Sequence, residues 1–419
     1  MTTTVLSPLE RMRSAREASR SVGLLTDAAK VDLLRGIADA IEADVPRIVA
    51  ANAEDLARGE SNGLTPGLID RLRLDEPRVR ALAAAVREVA VLPDPVGRVL
   101  DDRTLENGIR LQKVSVPFGV VGSIYEARPN VTVDITALAL RSGNAVVLRG
   151  GSAAQSSNAA LVAVMRGALS AAGVDPEAIQ TVDDFGRDGA NALMRARGLV
   201  DVLVPRGSAQ LIETVVTEST VPVIETGAGV VHIVLDASAP LEWATDIVVN
   251  AKVQRPSVCN SVETVLVHRD AAQRVVAPIV ATLQERGVTV HGDDETRRLA
   301  GGVVPAVEAD WSTEHMSLDV SFRIVDDLDE ALAHIRTYST QHTESIITAD
   351  ESAAERFLAE VDSAVVMVNT STRFTDGGEF GFGAEVGIST QKLHARGPMG
   401  LAELTTTKWL ARGAGQIRP

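Results

Sequence analysis

The stretch 120–154, VVGSIYEARPNVTVDITALALRSGNAVVLRGGSAA, decides the fold class. It opens and closes on apolar runs, VVGSIYE and NAVVLRG, that do not alternate with polar residues. Such runs read as strands buried on both faces, and the segment between them reads as a helix. The rhythm continues downstream. IQTVDD (179–184), VDVLVP (200–205), VPVIETG (221–227) and VVHIVLD (230–236) read as strands. AAQSSNAALVAVMRGALSAAG (153–173) and AQLIETVVTEST (209–220) read as the helices between them. Strands alternating with helices predict a parallel sheet covered on both sides, an α/β fold.

After a helix over PLEWATDIVVNAKVQ (240–254) the rhythm restarts. Strands are expected at VETVLVH, VTVHG, FRIVDD, ESIITAD and AVVMVN, with helices between. The first 100 residues differ. In 26–59 Val31, Leu34, Ile37 and Ile41 recur at helical spacing, and a second helix over 75–92 ends before Pro93. Residues 103–117 alternate on both sides of Asn107-Gly108, a two-residue hairpin signal. The tail from Arg396 carries a β-prone threonine run. The pattern divides the chain into an opening helical stretch, the hairpin, an α/β stretch from Gly119 to about residue 249, a second α/β unit over 250–395, and the tail.

The 419 residues suit two or three domains. A net charge of −15 argues against a nucleic-acid or anionic-membrane binder. One cysteine excludes an intrachain disulfide and a Cys-rich metal site. The seven histidines show no paired ligand spacing, so no metal is expected. No secretory h-region opens the sequence and no apolar stretch reaches membrane-spanning length, so a cytoplasmic protein is expected.

That single cysteine, Cys259, lies in NAKVQRPSVCNSVETVLVH (250–268). A free cysteine is commonly a small buried hydrophobe. Here its flanks are polar and Arg255 is four residues away, so a packing role and a reactive thiolate both stand. The chain has neither GxGxxG nor GxxxxGK[ST]. Two strand–turn–helix segments offer backbone N–H groups to a phosphate instead: VPRGSAQLI with Gly207 and Ser208, and VVLRGGSAA with Arg149 and Ser152. Each also reads as an ordinary βα loop. Glu225 ends a strand beside glycines, as a base, a cofactor contact or a solvated carboxylate. Arg128 and Arg373 sit in Gly/Pro-rich loops after apolar strands.

VPFGVVGSIYEARPNVTVD, NAVVLRGGSAA, VPRGSAQLI, the cysteine stretch and GFGAEVGISTQKLHARGPMGLAELTTTKW occur in this order. The sequence they form resembles the gamma-glutamyl phosphate reductases (glutamate-5-semialdehyde dehydrogenases) of the aldehyde dehydrogenase superfamily, from near its start to about residue 410. The resemblance implies two doubly wound α/β domains, a Rossmann-like NADP-binding one (1–100 and 119–249) and a catalytic one (250–395), and a β oligomerisation element built from the hairpin and the tail (101–118 and 396–419). It implies NADPH-dependent reduction of L-glutamyl 5-phosphate to L-glutamate 5-semialdehyde, a step of proline biosynthesis. It also implies a homo-oligomer and an association with glutamate 5-kinase. Residue by residue, Cys259 resembles the nucleophile. Asn130 resembles the oxyanion-hole asparagine, though at a different spacing after GVVG. Arg149 and Ser152 resemble the residues facing the adenosine ribose and its phosphate, and Gly207 and Ser208 the pyrophosphate turn. Glu225 resembles the glutamate that activates water in aldehyde oxidation, which keeps an oxidising NAD(P)-dependent aldehyde dehydrogenase as the alternative. Glu314 resembles the glutamate on the nicotinamide ribose, without the Phe-Gly-Pro that usually follows. Arg128, Arg255 and Arg373 are the expected cations for the substrate's phosphate and α-carboxylate.

Overall fold

The computed structural model of the chain describes residues 6–126 and 128–418. The chain divides into two compact units. One comprises Met1–Thr226, Gly381–Gly387 and Met399–Pro419; the other comprises Gly227–Phe380 and Ile388–Pro398.

The first unit begins with helices whose starts are written in their caps. Ser7 and Glu10 form a capping box for Pro8–Val22; Thr26 caps Asp27–Ala43 and Asp75 caps Glu76–Val91. The 26–59 stretch, where apolar residues recur at helical spacing, holds two helices. The first ends at Ala43 and the next spans Val45–Ser61, because Pro46 lacks the N–H that continuation requires and fits only a first turn. A four-stranded sheet follows, in the order Ile179–Thr181, Ala145–Arg149, Val120–Tyr125, Val202–Arg206, with parallel pairing throughout. Val120, Val121 and Val146–Leu148 are fully buried, as the unbroken apolar runs require. The carboxyl ends of these strands lead into Glu126, Gly150 and Gly207, and that edge is where open α/β sheets take ligands.

The second unit holds seven parallel strands. Their order is Val304–Pro305, Thr289–Gly292, Asp319–Val325, Val262–His268, Val231–Leu235, Thr343–Ile347, Val365–Val368. Val262–His268 is the central strand. It buries Val265 and Val267 against helices Leu241–Val253 and Arg269–Glu285, and Leu266 in a second cluster with Leu332 and Phe357. The boundary between units falls at Gly227, not near 250, because Val231–Leu235 pairs with Val262–His268 and belongs to this sheet.

Strands Val99–Thr104, Arg110–Pro117 and Thr405–Arg412 form an antiparallel ribbon with Arg110–Pro117 in the middle. The expected hairpin is present, but Leu105 and Ile109 close it around three residues rather than two, with Gly108 at φ +83°. VPVIETG is not a strand. Pro222 has no N–H to donate, and the segment makes one isolated bridge, Leu203 to Val223.

Candidate active site

In the first unit, Glu126 follows strand Val120–Tyr125, and Gly207-Ser208 follows strand Val202–Arg206. Ser208 caps helix Ala209–Glu218, its hydroxyl accepting from the Leu211 N–H at 3.4 Å. The anion position at this helix start is taken by the chain's own carboxylate. Glu126 accepts from the Ser208 N–H at 2.9 Å and from its hydroxyl at 3.1 Å. At Gly207 a Cβ would stand 2.8 Å from both Glu126 Oε2 and Leu211 Cδ2, so a larger residue would displace these two side-chain ends.

The neighbouring loop is anchored by Asp183, which accepts from the Gly150 N–H at 2.7 Å and from Asn158 Nδ2 at 3.0 Å. Burial raises the Asp183 carboxyl, and these bonds and the charge of Arg149 oppose the rise. Arg149 is half-buried, its Nε donating to the Gly186 carbonyl at 3.4 Å, and Ser152 is exposed at the start of a short 3₁₀ turn. Asn130 lies in the first turn of helix Pro129–Arg141, and Arg128 is the residue before that helix. The Asn130 amide donates to Asp134 Oδ2 at 3.1 Å, one turn on. Burial pushes the Asp134 carboxyl up to about 6, against the Asn130 hydrogen bond and the charge of Arg206. Glu225 is half-buried just after Ile224, whose N–H donates to the Leu203 carbonyl.

In the second unit, Cys259 is half-buried in the turn that joins helix Leu241–Val253 to strand Val262–His268. Its neighbour Asn260 ties the turn to a second loop. Asn260 Nδ2 donates to the Thr375 carbonyl at 2.8 Å, and Thr372 Oγ1 donates to the Asn260 carbonyl at 2.8 Å. That second loop carries Arg373, whose Nε donates to Gln254 Oε1 at 2.9 Å. Burial lowers the basicity of Arg373; Asp376, Cys259 and Glu379 act against this and Arg255 with it. Arg373 thus feels the charges of both Arg255 and Cys259. The polar groups beside Arg373 are spent within the protein: Asn369 accepts from the Thr348 N–H and Ser371 from the Arg373 N–H. Glu314 accepts from the Gly229 N–H at 2.8 Å, and a Cβ on Gly229 would overlap the Cys259 carbonyl. The glutamate expected at a ribose thus braces the loop packed on the cysteine. Glu126, Asp183 and Gly229 were not singled out in the sequence. Glu126 had a signal, since it ends an apolar strand inside YEARPN.

The family model of the aldehyde dehydrogenase family matches residues 9–311. The chain is 62% identical over 417 residues to the gamma-glutamyl phosphate reductase of Leifsonia xyli subsp. xyli, covering 100% of this chain and 99% of the relative. It is 64% identical to that of Clavibacter michiganensis subsp. michiganensis, covering 98% and 95%. The crystal structure of gamma-glutamyl phosphate reductase from Thermotoga maritima superposes with a TM-score of 0.96 at 43% identity, over 98% of this chain and 100% of that one. The chain belongs to the aldehyde dehydrogenase family and, within it, to the gamma-glutamyl phosphate reductases. For a gamma-glutamyl phosphate reductase, the cysteine turn and the strand-end loops are the places to look for chemistry. Among the described residues no helix is long and apolar enough to cross a membrane, and no group of three or more His, Cys, Asp or Glu is placed to hold a metal ion.

Proposed function

We propose that this chain reduces L-glutamyl 5-phosphate to L-glutamate 5-semialdehyde through a thioester on Cys259, with NADPH as reductant, in proline biosynthesis. The observation that carries the chemistry is the Cys259 turn, braced through Asn260 and flanked by Arg255 and Arg373. The Cys259 thiolate attacks the acyl carbonyl, a C–S bond forms, and the C–O bond to phosphate breaks. The substrate is strongly anionic and the chain carries −15, so local cations have to receive the phosphate and α-carboxylate; Arg255 and Arg373 are the candidates in the cysteine's own unit, and Arg128 is a candidate by family resemblance. A backbone N–H at the cysteine serves the tetrahedral oxyanion, and Asn130 is the family's candidate for a second donor; one such donor is typically worth about 10²–10³ in rate. Thiol chemistry suits the second half, because a thioester is more electrophilic than a carboxylate and the thiolate leaves readily.

The first unit fits a dinucleotide. The Ser208 N–H already receives a carboxylate, so its donors suit a pyrophosphate, and Gly207 keeps the approach open. Arg149 and Ser152 are the proposed contacts to the adenosine ribose and a 2′-phosphate. When bound, the reduced nicotinamide supplies the hydride that turns the thioester into the aldehyde. Glu314 already holds Gly229, and Glu225 has no required part in a reduction. The ribbon, with Val99, Leu100 and Trp409 exposed, serves homo-oligomerisation, and glutamate 5-kinase is a candidate partner.

The test is the reverse reaction with semialdehyde, NADP+ and phosphate, each omitted in turn. Turnover should need all three and vanish in Cys259→Ala. Turnover without phosphate would favour simple aldehyde oxidation, and turnover in Cys259→Ala would end the thioester reading.

A further inference from the structure

The cysteine turn stands on a buried ion pair that the chemistry above does not use. Lys252, in the last turn of helix Leu241–Val253, and Glu263, the second residue of strand Val262–His268, are both fully buried. They lie seven residues before Cys259 and four after it. Lys252 Nζ donates to Glu263 Oε2 at 2.8 Å and to the Val262 carbonyl at 3.0 Å. Beside them the Ser261 hydroxyl donates to the Ala251 carbonyl at 3.2 Å. The two stems of the turn are thus clasped at their base.

The clasp continues round the turn. The other Glu263 oxygen accepts from the Met316 N–H at 3.4 Å. Met316 is one of three described non-glycine residues at positive φ, at +53°, so its backbone is held in a conformation most side chains avoid. Two residues earlier Glu314 accepts from the Gly229 N–H, and Gly229 packs on the Cys259 carbonyl. A closed circuit therefore runs from Lys252 through Glu263, the 314–316 segment and Gly229 back to Cys259.

Stability is a poor explanation for such a pair. Removing two charges from water costs several kcal/mol per ion, and apolar replacement of a whole buried pair is often neutral or stabilising. What an apolar pair lacks is the reach to the Val262 carbonyl and the Met316 amide. We infer that Lys252 and Glu263 are positioning residues that set the conformation of the Cys259 turn for attack, with no contact to substrate of their own. The inference rests on Cys259 being the nucleophile.

The decisive variant is the double substitution Lys252→Met with Glu263→Met, which leaves no unpaired buried charge. Three quantities are read: the thermal transition, kcat against KM in the phosphate-dependent reverse reaction, and the rate of Cys259 alkylation by iodoacetamide. The expected result is a cooperative melt at or above that of the parent. With it should come a fall of about ten- to a hundredfold in kcat, KM for the semialdehyde nearly unchanged, and slower alkylation. A folded double variant with kcat and alkylation within about twofold of the parent overturns the inference. Loss of the cooperative melt overturns it too, since the pair would then hold the fold and not the turn. Cys259→Ala in parallel separates this outcome from a failure of the thioester reading.

Discussion

Glu126 holds Ser208 by both its backbone N–H and its hydroxyl, at 2.9 and 3.1 Å. The protein thus fills, with its own carboxylate, the helix start at which a pyrophosphate is proposed to bind. Two anions do not share one set of N–H donors, so the proposed pyrophosphate contact requires Glu126 to let go. Glu126→Gln leaves one neutral acceptor and removes a negative charge beside the diphosphate. Because Glu126 is exposed and screened, the expected gain is modest: KM for NADP+ lower by about three- to tenfold, with kcat little changed. Steady-state kinetics with NADP+ varied will decide; an unchanged or higher KM counts against the competition.

Gly229 offers a steric test of the cysteine turn. Gly229→Ala keeps the N–H that Glu314 accepts but drives a methyl group into the Cys259 carbonyl. Overpacking of this kind typically costs about 1–3 kcal/mol, and a displacement near 1 Å at a nucleophile costs about a hundredfold in rate. Activity should collapse while the protein stays folded, as judged by kcat beside a thermal melt. Glu314→Gln, which retains an acceptor, should be far milder. Near-normal kcat in Gly229→Ala would show that the turn tolerates the shift.

Two buried histidines should resist acid. Burial pushes His334 down to about 3 and His342 down to about 4. Arg323 Nη1 lies 3.1 Å from His334 Nδ1, which suits a neutral ring accepting there. Their native values lie below the unfolded value near 6.5, so their contribution to stability is present above pH 6.5 and lost as pH falls towards 4 and 3. Glu263, pushed up to about 7, works the opposite way between its ordinary value and 7, as does Asp134, pushed up to about 6. A single variant isolates the histidine part. His342→Gln should flatten the acid slope of the unfolding free energy by about 1.4 kcal/mol per pH unit between pH 6.5 and 4. In parallel, two of the seven histidine ring signals should show no titration by NMR down to pH 5. Full titration of all seven would refute the neutral burial.

The parallel sheets were legible because runs such as Ala145–Leu148 are apolar on both faces, a pattern that survives without any knowledge of partners. Cys259 drew notice as the single cysteine in a polar stretch, and the ordered motifs beside it carried the family resemblance. The break before Pro46 and the loss of a strand at Pro222 follow from a missing N–H, which apolar periodicity does not record. The braces were hidden for another reason. Ser208 meets Glu126 across 82 residues and Gly229 meets Glu314 across 85, and no local pattern encodes such pairings. Lys252 and Glu263 are only 11 apart, yet they read as a solvated helix end and a strand start until burial is known.

The ribbon's third strand has a consequence for how the chain reaches its native state. Thr405–Arg412 pairs with Arg110–Pro117 across about 300 residues, whereas residues 227–380 form most of the second unit without interruption. On a ribosome the seven-stranded unit is complete in its main segment while the last edge strand is still unmade. Pairings of such high contact order form late and slowly. Until synthesis ends, Arg110–Pro117 presents one unpaired edge, and a chain truncated before Thr405 would keep that edge permanently open to a neighbour.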